Sequence, residues 1–100
     1  MGISYKQAQF LAASRIADAE RGDVDALFEL GAIYSSGAHG TPIDLVEAHK
    51  WFNLAALQGS VEAQLCRGEV ADEMTRAEIA EAQKQARAWL ARAGGLRIAA

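Results

Sequence analysis

The sequence predicts an all-α fold, a short solenoid of about five antiparallel helices, and three observations predict it. Glycines stand where apolar periodicity stops, at Gly22, Gly37, Gly59 and the pair Gly94 and Gly95, where a helix end wants a left-handed residue. No segment alternates apolar and polar residues as a strand would. The residues also repeat: Gly22, Ala26 and Gly31 recur 37 positions on as Gly59, Ala63 and Gly68, and Ala48, Trp51, Phe52 and Ala55 recur 38 positions on as Ala86, Trp89, Leu90 and Ala93. Repeats of this length mark helix pairs that stack on one another.

The elements follow in order. A first helix is expected near 4–21, opened by Ser4 with Gln7 three residues later and carrying Phe10, Leu11 and Ile16 after Ile3. The second, near 24–36, is capped by Asp23. At 100° per residue it gathers Ala26, Leu30, Ile33 and Tyr34 on a packing face, with Asp25, Phe28, Ala32 and Ser35 opposite. Gly31 sits mid-helix, where glycine costs about 1 kcal/mol against alanine, so its use is to let a neighbouring helix come close. The 37–44 segment is the longest connection. Asp44 with Glu47 opens a third helix near 45–58, whose two stripes, Leu45, Ala48, Phe52, Ala55 and Val46, Leu54, Leu57, fit a helix sandwiched between neighbours. Ser60 caps a fourth near 61–73. Thr75 with Glu78, and Met74 with Ile79, give a fifth near 76–93 both a capping box and a hydrophobic staple. Trp51 and Trp89 occupy equivalent places and are expected to fill the seam between helices. These elements form one domain, 1–93, as an N-terminal helix (4–21), a first unit (22–58) and a degenerate second unit (59–93), with 94–100 as a tail.

Composition excludes several classes. Hydrophobic residues make up 51% of the 100 and proline occurs once, which excludes a disordered or collagen-like chain. The net charge of -3 argues against general nucleic-acid binding, which needs Lys and Arg against phosphate. The charge is uneven: between Asp23 and Met74 nine acids face two bases, whereas from Thr75 onward five bases face two acids. Cys66 is the only cysteine, so no internal disulfide forms and a reducing, cytoplasmic setting is expected. No apolar run approaches the roughly 18 residues of a membrane span, and the start lacks the unbroken apolar run of a signal peptide.

The run from Ala26 to Gly59 resembles the Sel-one-like repeat, a relative of the tetratricopeptide repeat. The resemblance rests on Ala26, Leu30, Gly31, Tyr34, Gly37, Gly40, Asp44, Ala48, Trp51, Ala55, Ala56 and Gly59 in family order. A weaker likeness covers Gly59 to Ala93, with Arg67 at the Leu30 place and Ala71 at the Tyr34 place. What the resemblance implies is an alpha-alpha superhelix acting as an adaptor that assembles protein complexes, often in bacteria. The cysteine pairs of some relatives, and the β-lactam chemistry proposed for them, have no counterpart here.

The expected partner-binding residues are Asp25, Phe28, Ala32 and Ser35 on the second helix and Glu62, Leu65, Glu69 and Asp72 on the fourth. Phe28 either anchors a partner or packs on the first helix. The acids, joined by Glu73, either line an acidic groove or form a plain solvated face. As a groove they would take a protein or a Lys/Arg-containing peptide. His39 and His49 lack zinc-ligand spacing, and neither a catalytic triad nor a phosphate loop can be assembled. No metal, cofactor or enzymatic activity is therefore expected, and a small hydrolase, which needs a buried polar pocket with a shifted titrating group, ranks last. Arg76, Lys84, Arg87 and Arg92 suggest a basic strip that Glu78 and Glu81 interrupt, read as a solvated end cap. The alternative to an adaptor is a homodimer formed by uncovered solenoid ends.

Overall fold

Asp23, Asp44, Ser60 and Thr75 each start a helix. In the computed structural model, which describes residues 5–92 and side chains from position 13, five α-helices follow one another: α1 (Tyr5–Glu20), α2 (Val24–Ser36), α3 (Leu45–Leu57), α4 (Val61–Ala71) and α5 (Arg76–Arg92). No strand occurs among the described residues. Each boundary that lies within the described residues falls within two residues of its expected place, with the ends of α1, α3 and α4 slightly short of it. The expected Ser4 cap, Ile3, the side chains of Phe10 and Leu11, and the 94–100 tail lie outside the described residues.

The caps differ in completeness. The Asp23 carboxylate accepts from the N–H groups of Asp25 and Ala26 at 2.9 and 3.2 Å, and the Ser60 hydroxyl accepts from Ala63 N–H at 3.1 Å. Thr75 and Glu78 form the full reciprocal box: Glu78 N–H donates to Thr75 Oγ1 at 3.1 Å and Thr75 N–H donates to Glu78 Oε1 at 2.8 Å. The box expected at Asp44 is only half made. Asp44 accepts from Glu47 N–H at 3.1 Å, but the Glu47 carboxylate turns away to take Lys50 Nζ at 2.9 Å and Trp51 Nε1 at 3.1 Å. Asp44 N–H donates instead to the Tyr34 carbonyl at 2.9 Å, which ties the end of the loop back to α2. Gly37, at φ 72°, ends α2 in the left-handed conformation that a side chain rarely adopts.

Helix α3 is the hub. It packs against α2 on one side and against α4 and α5 on others, and Ala48, Trp51, Phe52, Leu54 and Ala55 are all buried. The expectation of a sandwiched helix holds, with Leu57 at the exposed limit of its stripe. Against α2 the contact is set by Gly31. A β-carbon built there would lie 2.5 to 2.7 Å from three ring carbons of Phe52, so the ring occupies the space that glycine leaves. Leu27, fully buried beside Leu30, joins this face and was absent from the expected stripe. On the other side of α2, the Arg15 guanidinium reaches Glu29 at 2.7 Å and Ala19 is buried, which joins α1 to α2.

The tryptophans meet across the next seam. Trp51 and Trp89 stand edge to face, their centroids 5.0 Å apart at 76°, the preferred geometry for aromatic pairs. Their polar ends fare differently. Trp51 Nε1 is held by Glu47, four residues before it, whereas Gln85, four before Trp89, donates to Glu81 at 2.8 Å and Trp89 Nε1 is buried without a partner among the described residues.

The expected second pair does not close as the first does. Helices α4 and α5 are joined by a short turn yet scarcely touch; each packs on α3 instead. The cause is legible 37 positions on from α2: Leu27 is replaced by Gln64, Leu30 by Arg67 and Tyr34 by Ala71. Closing α5 over α4 would bury polar groups without partners. Arg67 turns to α3, where its guanidinium donates to Asn53 Oδ1 at 2.7 Å. The nearby His49 is buried on α3 with Nδ1 unpartnered. Burial, and then the positive charge of Arg67, push its pKa below the ordinary 6.5.

Two outcomes follow from this packing. Gly31→Ala gains helix propensity of about 1 kcal/mol but overpacks Phe52 at a cost of about 1–3 kcal/mol. Its melting temperature should fall, and a double-mutant cycle with Phe52→Leu should show that the smaller side chain relieves much of the loss; an unchanged melting temperature refutes the contact. His49 favours its neutral form when folded, so its contribution is fully present above pH 6.5 and is lost as pH drops below it. Stability should decline as pH falls below 6.5, by at most about 1.4 kcal/mol per pH unit. His49→Leu, followed by denaturant titration across that range, should flatten the decline.

Candidate functional site

The first turns of α2 and α4 lie side by side with the α3–α4 turn between them, and together they frame a cleft of about 400 Å³ lined by Val24, Asp25, Phe28, Gln58, Gly59, Ser60, Val61 and Glu62. Its construction follows from the 37-residue step, since Val24 and Asp25 on α2 correspond to Val61 and Glu62 on α4. Asp25 and Glu62 are the acids of their helices' first turns, where the partial positive charge of the helix end favours them. The Asp23 and Ser60 caps satisfy the adjacent N–H groups, so the two carboxylates remain turned to solvent.

The floor is apolar. Phe28 is half-buried and tilts against Phe52, with ring centroids 5.5 Å apart at 57°, so its ring packs on α3, a contact other than the expected one on the first helix, and it also lines the cleft. Val61 is 69% exposed, more than its role in the core of a helix pair would allow. Gln58 supplies the polar element, because its side-chain amide nitrogen is buried and has no hydrogen-bond partner among the described residues. A buried donor left in this state is costly and is suited to an acceptor brought from outside.

The expected site residues separate into three groups. Asp25, Phe28 and Glu62 come together at the cleft. Leu65, Glu69 and Asp72 are exposed on the outer face of α4, continuing from Glu62 at helical spacing but away from the cleft. Ala32 and Ser35 belong to neither. Ala32 packs against the core, and its carbonyl accepts from Ser35 Oγ at 3.2 Å and Ser36 Oγ at 2.7 Å, so the Ser35 hydroxyl is used within its own helix. Gln58, Val24 and Val61 were not anticipated. The repeat step pointed to the valines; nothing local distinguishes Gln58, whose lack of a partner is a consequence of packing.

The remaining chemistry-bearing groups are placed away from the cleft or held inactive. Burial, then Glu69 and Glu62, push the Cys66 thiol above its ordinary pKa, the reverse of the depression that activates a thiol nucleophile. His49 faces the α3–α4 seam. Among the described residues no group of three or more His, Cys, Asp or Glu is placed to hold a metal ion, and no helix is long and apolar enough to cross a membrane.

Comparison with known families matches residues 24–60 to the Sel1 repeat, the span of α2, the 37–44 loop and α3, and does not extend over the expected second unit. No curated protein and no solved structure matches the chain. Sel1 repeats generally mediate protein–protein interaction and are a non-enzymatic type of repeat. The α2–α3 pair locked by Gly31 and Phe52, with the helix-ending Gly37 and the seam-filling Trp51, is therefore the part of the chain that matches the Sel1 repeat.

Proposed function

We infer that this chain is a non-catalytic adaptor that holds a partner protein or peptide in the cleft between the first turns of α2 and α4. The observation that carries this reading is the meeting of an apolar floor, Phe28 with Val24 and Val61, and two unpaired carboxylates, Asp25 and Glu62, around the unpartnered Gln58 amide. An apolar side chain on the floor with a Lys or Arg beside it would match that lining, and a backbone carbonyl would satisfy Gln58. The rim charges would speed encounter and select the sign of the partner more than they would deepen affinity. Acting in the cytoplasm accords with the single, unpaired Cys66.

The test uses short synthetic peptides alternating Leu with Lys, and the same peptides with Glu in place of Lys, titrated against the full chain. The Lys series should bind and weaken as salt rises, and the Glu series should not. Replacing both carboxylates, Asp25→Asn with Glu62→Gln, leaves the Phe28 packing intact and should weaken binding by about tenfold, or ~1.4 kcal/mol. Equal binding of both series, or indifference to the double replacement in a protein of unchanged circular dichroism, overturns the reading.

A further inference from the structure

Among the described residues the outer faces of α4 and α5 are both without partners, and they are opposite in charge. At 100° per residue Val61, Leu65, Gly68, Glu69 and Asp72 fall on one side of α4 within about 100°. Val61 and Leu65 are 69% and 67% exposed, and a β-carbon added at Gly68 would meet nothing within 4 Å. The corresponding face of α2 is partly covered by α3, with Phe52 against Gly31. On α5 the side turned from α3 carries Arg76, Ala80, Lys84, Arg87 and Ala91, all exposed.

The acids that the sequence sets among these bases are elsewhere. Glu78 is engaged in the Thr75 cap and Glu81 holds Gln85, and both project from a different side of α5. Arg92 leaves the strip too, lying over the Trp89 ring at 5.8 Å. The basic strip expected to be interrupted is therefore continuous on its own face, as Arg76, Lys84 and Arg87 separated by alanines. None of these bases, and neither Glu69 nor Asp72, forms a salt bridge among the described residues.

We propose that a second copy of this chain covers these faces, with α4 of each protomer laid on α5 of the other. Charge complementarity selects the occupant: Glu69 and Asp72 of one copy meet Lys84 and Arg87 of its partner, while Leu65 packs over Ala80 and Ala91, where small side chains let the helices approach. Each copy offers both faces, so the pairing closes as a two-fold dimer when both contacts form between the same two copies. The dimer supplies between chains the α4–α5 contact that Gln64 and Arg67 prevent within one. It leaves Asp25 and Phe28 at the α2 side of the cleft, outside the interface.

Sedimentation velocity on the full chain tests this. The native protein should dimerise with concentration and weaken by about tenfold or more as salt rises through several Debye lengths' worth of screening. Glu69→Lys with Asp72→Lys, and separately Lys84→Glu with Arg87→Glu, should each give a folded monomer by circular dichroism, since all four side chains are exposed. Mixing the two variants should restore a one-to-one dimer, because both reciprocal contacts then regain opposite charges. A native chain that stays monomeric at high concentration, a dimer indifferent to salt and to both reversals, or a mixture that fails to pair overturns the proposal.

Discussion

The Phe52 ring fills the space above Gly31, and the rest of the architecture depends on that contact. A glycine inside a helix is unfavourable by about 1 kcal/mol, so its place in α2 is explained only by what it admits. The ring brings α2 and α3 close enough for Leu27 and Leu30 to be buried completely, and it supports Phe28 from below. The cleft floor thus rests on the same aromatic contact as the helix pair. The function proposed for the cleft and the stability of the repeat are consequently coupled through one side chain, Phe52.

The same device is absent one step along the chain. Gly68 stands where Gly31 does, but it meets nothing, because the leucines that would draw α5 onto α4 have become Gln64 and Arg67. Polar groups at those positions move the favourable packing elsewhere: α5 finds its apolar contacts on α3 through Ala82, Ala86 and Trp89, and Arg67 finds Asn53. The Trp51–Trp89 contact then does for stacking what the Gly31–Phe52 contact does for pairing. It also leaves two helix faces open, an acidic one with exposed Val61 and Leu65 and a basic one lined with alanine.

Much of this was legible. Helix starts were marked by side chains that bond the backbone within three residues, and such local chemistry does not depend on the fold. Trp51 and Trp89 were recognisable as seam residues because a 38-residue step placed them equivalently. Asp25, Phe28 and Glu62 were recognisable as candidates from helical spacing alone. Less legible was anything decided by a choice between partners. Glu47 left its capping role for Lys50 and Trp51, Ser35 bonded its own helix, and Glu78 and Glu81 turned off the basic strip, each because a competing partner lay nearer.

The sequence by itself determined the order of the helices among the described residues, the limits that fall within them, the repeat step, and the likeness of the central pair to a known repeat, since these follow from periodicity and from short-range hydrogen bonds. Only the tertiary structure decided which helices close on one another, that Phe28 both packs and lines a cleft, that Gln58 is left without a partner, and that Leu65, Glu69 and Asp72 stand apart from Asp25. Those outcomes turn on the direction in which α4 and α5 leave α3. That direction is set by long-range packing on Ala63, Val70, Ala86 and Trp89, which no local pattern encodes.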